Sequence, residues 1–253
     1  MEMMVGPMSG ALDATALAQA YPWPAGRAWL RSMMLMTLDG AVAGPDGLSG
    51  SISSPADRLV LSEVRRLADA VLIGAGTLRA ERYRPLRAKP ADHIERLGLG
   101  LAEAPVVVVV SASLELPWEE PFFAESSIAP IVITVASVES GRLRAARERA
   151  DVIVLEGQTA DATEVIAALH ARGLLRIVCE GGPRLLAGLT AAGIIDEADL
   201  TIAPRLAGGG QVRTGDTIAH PAGLDLAHLI VDDGFLFTRY LVNRGDARKP
   251  GHA

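Results

Sequence analysis

The chain has 253 residues, 49% of them hydrophobic and only 4% aromatic, enough for one sizeable core and better suited to a single large domain than to two. A formal net charge of −6 offers no basic face to a phosphate backbone, so a nucleic-acid partner is not expected. The single cysteine, Cys179, excludes an internal disulfide framework and a multi-cysteine zinc site, and it fits a reducing, cytoplasmic setting.

Residues 1–27 lack the basic start and continuous apolar run of a signal peptide and read as an N-terminal arm. Nowhere does an apolar stretch reach the roughly 18 residues that span a bilayer. The first strand-like run covers 30–37. It is followed by "MTLDGAVAGPDGLSGSISSP", Met36 to Pro55, with Asp-Gly pairs at 39–40 and 46–47 and a cluster of serines. Ser54 then reads as the N-cap of a helix with Pro55 at its first position, and Leu59, Val60, Val64 and Leu67 recur at helical spacing. Further Val/Ile-rich runs at 69–74, 105–110, 130–135, 151–155 and 174–179 are apolar at consecutive positions, as in strands covered on both faces. Helical patterns at 139–149, 161–172 and 183–193 lie between or after them, and this alternation predicts right-handed crossovers and a largely parallel sheet. Near the end, "LDLAHLIVDDGFLFTRYLV" reads as two strands joined at Asp233-Gly234, an antiparallel hairpin closing one edge of the sheet. Residues 28–243 thus form the expected domain and 244–253 a tail.

In open α/β sheets ligands bind beyond the carboxyl ends of the strands, which directs attention to three loops. The first is the serine-rich stretch after residue 36. In the second, "IGAGTLRAERYRPLR" at 73–87, Arg79, Arg82, Arg84 and Arg87 follow a buried strand. They are either a phosphate-binding set or a solvated charge run, and no clear helix is read in "AERYRPLR". The third is "CEGGPRLL" at 179–186, where glycines precede a helix carrying Pro183 in its first turn. That is the geometry of an anion site, and equally that of a tight turn needing φ > 0. Other chemistries fit poorly. "GLSGS" at 47–51 lacks the last glycine of a hydrolase elbow, His93-Ile94-Glu95 lacks the cysteine pair of a zinc deaminase, and the five histidines have no ligand spacing, so no metal is expected.

Five segments in register, "MTLDGAVAG", "SGSISSPADR", "VRRLADAVLIGAGTLRAERYRPLR", "VCEGGPRLLAGL" and "DEADLTIAPRLAGGG", resemble the pyrimidine reductase of riboflavin biosynthesis. That family also forms the C-terminal half of the bifunctional deaminase-reductase and has a dihydrofolate-reductase-like fold. The similarity runs from about residue 30 to 242. It implies an α/β domain with a largely parallel central sheet flanked by helices, a small-molecule substrate, NADPH as cofactor and a homodimer, with the closing hairpin and the apolar tracts near 194–206 as candidate interface. Carried over position by position, it implies catalytic roles for Glu180, Asp39 and Glu81, and substrate contacts from Ser49, Arg65 and Arg87, with Arg84 as a stand-in for Arg87. Arg65 and one of the latter two would hold a substrate phosphate. The cofactor would meet Leu35, Ser51, Gly74, Gly76, Thr77, Glu81 and Ser111 and lie against Gly181, Gly182, Pro183, Arg184, Leu185 and Leu186. Ser51 stands where many members carry Trp, and Glu81 where many carry Asp. The implied reaction is hydride transfer to C1′ of a ribosylaminopyrimidine phosphate. A pterin reductase on the same fold and a cofactor-binding module without activity are the competing readings.

Overall fold

A computed structural model describes residues 1–6, 10–87, 90–208 and 222–243. The expected tail at 244–253 and the end of the "APRLAGGG" motif lie outside them. The chain opens with β1 (Glu2–Val5), β2 (Gly10–Ala11), α1 (Ala14–Ala20), β3 (Trp29–Thr37) and a short 3-10 turn at Ser49–Ser51. It continues through α2 (Pro55–Arg66), β4 (Ala70–Gly74), α3 (Ala75–Glu81), α4 (Pro90–Gly98), β5 (Val106–Val110), α5 (Pro121–Glu125) and β6 (Ile131–Val135). Then come α6 (Ser140–Arg147), β7 (Asp151–Leu155), α7 (Ala162–His170), β8 (Arg176–Cys179), α8 (Pro183–Ala191), β9 (Glu197–Ala203), β10 (Gly223–Asp232) and β11 (Phe235–Asn243). The strands form one sheet in the order β2-β1-β10-β11-β9-β3-β8-β4-β5-β6-β7. Pairings from β9 to β7 are parallel and those from β2 to β9 antiparallel.

The consecutive apolar positions have the cause inferred from sequence. On β4, Ala70 and Leu72 face a core that includes Val165 and Leu169 of α7 and Leu189 of α8, while Val71 and Ile73 face Leu78, Phe122 and Ala146 on the other side. Ser54 caps α2 by accepting from the Asp57 N–H at 3.1 Å, with Pro55 at the first helical position. The hairpin turns at Asp233 (φ 46°) and Gly234 (φ 78°), the conformation that favours an Asp-Gly pair.

Three expectations change. The first 27 residues are no free arm: β1 pairs with β10, and Met3, Leu17, Ala20 and Tyr21 are buried against Met33, Val60, Val64 and Phe237. As β1 and β2 lie outside it, the hairpin does not form the edge of the sheet. The tract near 194–206 includes β9, which pairs with β3 on one side and β11 on the other. Finally, the Arg-rich loop starts helically: α3 spans Ala75–Glu81 and ends where Arg82 takes a left-handed conformation (φ 45°). Gly74 stands at its N-cap, and Leu78 is buried beneath it.

Candidate active site

β8 and β4 end beside the stretch of β3 that continues past them, and the three loops singled out from sequence surround a cavity of about 520 Å³ there. Met33, Met34 and Leu35 of β3 form an apolar wall. Opposite it, α2 supplies Asp57, Arg58 and Arg65, and the end of α3 supplies Thr77, Glu81, Tyr83 and Arg84. Glu180, Gly182 and Pro183 close the third side.

A compact polar cluster faces this space. Arg65 donates from Nε and Nη2 to the two carboxylate oxygens of Glu180, Tyr83 Oη also donates to Glu180, and Arg65 Nη2 donates to Tyr83 Oη at 2.6 Å. Burial opposes the charge on Arg65, but Glu180 and Tyr83 beside it more than offset this and raise its pKa above the ordinary arginine value. The Tyr83 hydroxyl is pushed well above 10, first by desolvation. Tyr83 is the main residue that sequence reasoning missed. The left-handed turn at Arg82 swings it inward, where its ring also meets Phe122 edge-on at 6.2 Å.

The remaining predicted residues divide into those that border the cavity and those that do not. Glu81 Oε1 accepts from the Ser49 N–H at 2.9 Å and clamps the serine loop to the end of α3, so both residues line the cavity. Gly181 (φ 95°) and Gly182 (φ 92°) make the turn into α8, and Gly74 N–H donates to the Gly181 carbonyl at 3.0 Å. The first bond inside α8 runs from Leu186 N–H to the Gly182 carbonyl, so by helix geometry the N–H groups of Arg184 and Leu185 are left for a ligand. Leu185 and Leu186 themselves pack on the core, Arg184 is exposed, and Gly76 is exposed on the first turn of α3.

Four side chains are engaged elsewhere. Asp39 accepts from Thr37 Oγ1 and from the N–H groups of Ala207 (3.1 Å) and Gly208 (2.8 Å); it braces two loops outside the cavity instead of facing the reacting space. Ser51 Oγ is turned to Asp46 Oδ1 (2.8 Å) and the Leu48 carbonyl (2.9 Å). Ser111 is buried, its Oγ accepting from the Leu114 N–H at 3.1 Å. Arg87 pairs with Glu125 at 2.7 Å and borders a smaller neighbouring cavity.

Residues 28–231 match the family model of the RibD C-terminal domain. The chain belongs to that family. The RibD C-terminal domain chain described here is 33% identical over 180 residues to the 2,5-diamino-6-ribosylamino-4(3H)-pyrimidinone 5′-phosphate reductase of Methanothermobacter thermautotrophicus, covering 71% of this chain and 79% of that one. It is 34% identical over 170 residues to the RibD protein of Mycobacterium tuberculosis, covering 67% of this chain but only 46% of that longer one. Among solved structures, a pyrimidine reductase-like protein from Corynebacterium diphtheriae superposes with a TM-score of 0.76 at 27% identity, covering 93% of this chain and 97% of that one. A riboflavin biosynthesis reductase from Saccharomyces cerevisiae, at 15% identity and a TM-score of 0.62, shares the fold, covering 91% and 100%. The expected family and its dihydrofolate-reductase-like architecture are therefore in place. Among the described residues no helix is long and apolar enough to cross a membrane.

Proposed function

We propose that this chain catalyses the NADPH-dependent reduction of 5-amino-6-(5-phosphoribosylamino)uracil to its ribitylamino product, a step of riboflavin biosynthesis, by hydride transfer to C1′. The observation that carries this reading is the Arg65–Glu180–Tyr83 cluster, set in an apolar-walled cavity beside the glycine turn into α8, in a RibD C-terminal domain chain. The turn suits a dinucleotide: two glycines at positive φ, a proline that has no N–H and two outward N–H groups at a helix start form a cradle for phosphate. Thr77 on α3 and Leu35 on β3 border the same space. Bound there, a dihydronicotinamide supplies the hydride.

The protein's part is positioning and exclusion of water. Glu180, fixed in orientation by Arg65 and Tyr83, accepts N–H groups from a pyrimidine edge. Met33, Met34 and Leu35 keep the reacting carbon dry. A proton goes to the ribose ring oxygen as its bond to C1′ breaks, leaving the C1′–N iminium, whose reduction by the hydride gives the neutral ribitylamine; Glu81, on the cavity wall, passes that proton through water. The enzyme acts as a cytoplasmic homodimer, with the hairpin, where Leu224 and Leu226 are exposed on β10, and the tract near 194–206, where Leu206 is exposed, as its contact.

One observation favours a second reading, a pterin substrate: both arginines offered to a phosphate, Arg65 and Arg87, already face carboxylates. The test is NADPH oxidation measured side by side with the ribosylaminopyrimidine phosphate and with dihydrofolate. Turnover of the former supports the proposal, and turnover of dihydrofolate alone overturns it. Equal rates with NADH and NADPH would remove the cofactor preference.

A further inference from the structure

Among the described residues three carboxylates border the main cavity, Asp57, Glu81 and Glu180. Both oxygens of Glu180 are taken by Arg65 and Tyr83, and Glu81 spends Oε1 on the Ser49 N–H. Asp57 differs from them. It is only 6% exposed, and among the described residues no cation pairs with it. Its Oδ2 accepts from Ser53 Oγ at 2.7 Å, which orients the carboxylate, whereas Oδ1 has no hydrogen-bond partner among these residues. A carboxylate withdrawn from water is ordinarily paired or hydrogen-bonded, because its lost hydration must be replaced. The first turn of α2, where Asp57 stands, favours negative charge and offsets part of that cost. It accounts for neither the burial nor the open oxygen, since an exposed acid would serve the helix equally well.

We propose that Asp57 is a substrate-binding carboxylate: its open oxygen accepts a ring N–H of the bound heterocycle, on an edge other than the one that meets Glu180, and so selects among rings. The inference rests on the reading of this cavity as the site of a pyrimidine substrate. A uracil ring offers Asp57 the N3–H alone. A 2-amino-4-oxopyrimidine sets an exocyclic N–H beside the ring N–H, and two parallel donors match the two oxygens of one carboxylate. The bond from Ser53 uses one acceptor position of Oδ2 and leaves another for the amino group. A ring with no N–H on that edge sets a methyl or carbonyl group against a buried, unanswered charge and is rejected for that reason.

The experiment measures binding of 6-aminouracil, its N3-methyl derivative and 2,6-diaminopyrimidin-4-one to the full chain and to D57N, D57E and S53A. The parent should hold 6-aminouracil roughly 10- to 150-fold more tightly than the N3-methyl ring, and the diaminopyrimidinone more tightly still. D57N keeps the size of the side chain and removes its charge, so the three rings should bind it nearly equally. D57E should recover part of the discrimination, and S53A, which frees the carboxylate to turn, should weaken it even if D57N does not fold. A merely helix-stabilising Asp57 would lower the melting temperature of D57N and leave the ratios between rings untouched. The proposal is overturned by that result, by a parent indifferent to N3-methylation, or by a parent that binds none of the rings at millimolar concentration. Should the rings be told apart through Asp57 while the ribosylaminopyrimidine phosphate is not reduced, the ring contact stands and the proposed reaction falls.

Discussion

A Cβ built on Gly182 stands 3.1 Å from the Cα of Gly74 and 3.2 Å from its nitrogen. The two turns that end β8 and β4 therefore touch backbone to backbone, tied by the Gly74 N–H donating to the Gly181 carbonyl. Glycine at 182 answers two demands at once, a φ of +92° and a contact with no room for a side chain.

Gly181 separates these demands. It shares the positive φ (+95°), but its Cβ would meet only Met34 Sδ at 3.3 Å, the flexible part of a side chain. Both Gly→Ala variants carry the conformational penalty of about 1 kcal/mol, and Gly182→Ala adds a backbone collision, for a total of roughly 2 to 3 kcal/mol. Urea midpoints of the two variants give the comparison. Equal losses would mean that the close approach of the turns is not a constraint in solution. Nucleotide affinity should fall more in Gly182→Ala as well, since the collision displaces the cradle itself.

Asp39 illustrates how a motif residue is legible in place but not in role. Its carboxyl is held down to about 2, first by the Thr37 hydroxyl, then by the Gly208 and Ala207 N–H groups. A carboxyl depressed in the folded state contributes stability above its unfolded value near 4, and that contribution is lost as pH falls towards 2. Asp39→Asn should therefore lower the denaturation midpoint at neutral pH, and the difference from the parent should close between about pH 4 and 2. A difference that persists unchanged at pH 2 would place the effect in packing instead of charge.

The parallel half of the fold was legible because its strands are buried on both faces, so Ala70 to Gly74 or Ile131 to Val135 is written as an unbroken apolar run. Of the other half, only the β10–β11 hairpin was, through its Asp233-Gly234 turn. β9 carries Glu197 and Asp199, both buried, and nothing local shows that Arg31 and Arg239 from two other strands neutralise Glu197 at 3.0 and 2.9 Å. β1 is only four residues long, and its partner lies more than two hundred positions away in β10. In the site, the glycine turn was legible because a strand end and a helix start fix its place, whereas Glu180, Arg65 and Thr77 came from the family resemblance; all border the cavity. Tyr83 was missed because its direction depends on one left-handed residue, Arg82, and no spacing rule reports that. Arg87 was read as a site arginine, and the structure turns it to Glu125.

Cys179 ends β8 directly before Glu180 and is fully buried, and desolvation pushes its thiol up to about 12. A thiol so placed is neither ionised nor reachable at neutral pH. A thiol-specific reagent should leave the native protein unlabelled over hours and titrate one group once it is unfolded in guanidinium. Rapid labelling of the native protein would mean that the strand end beneath the site opens locally.

Arg65 and Glu180 test how the polar cluster divides stability from catalysis. The Glu180 side chain is 7% exposed and that of Arg65 21%, so the pair is mostly but not wholly withdrawn from water. Removing one partner of a fully buried pair costs about 3–5 kcal/mol, and the partial exposure of Arg65 moves the expectation for Arg65→Met to roughly 2 to 3 kcal/mol. The loss comes from leaving the Glu180 carboxylate without its partner. Arg65→Met with Glu180→Leu removes both charges, and stability should return by half or more, because well-packed apolar groups replace a buried pair at little cost. Turnover should not return, since Glu180 is the group that would receive the substrate. Tyr83→Phe deletes the hydrogen bond to Glu180 and the one accepted from Arg65 and keeps the ring against Phe122, so it should cost about 1 to 2 kcal/mol in stability and lower kcat/KM through orientation of the carboxylate. Unfolding free energies and steady-state rates of the four proteins decide the matter. An active double variant would show that the cluster only holds the fold together, and a fully stable Arg65→Met would show that the pair is open to solvent.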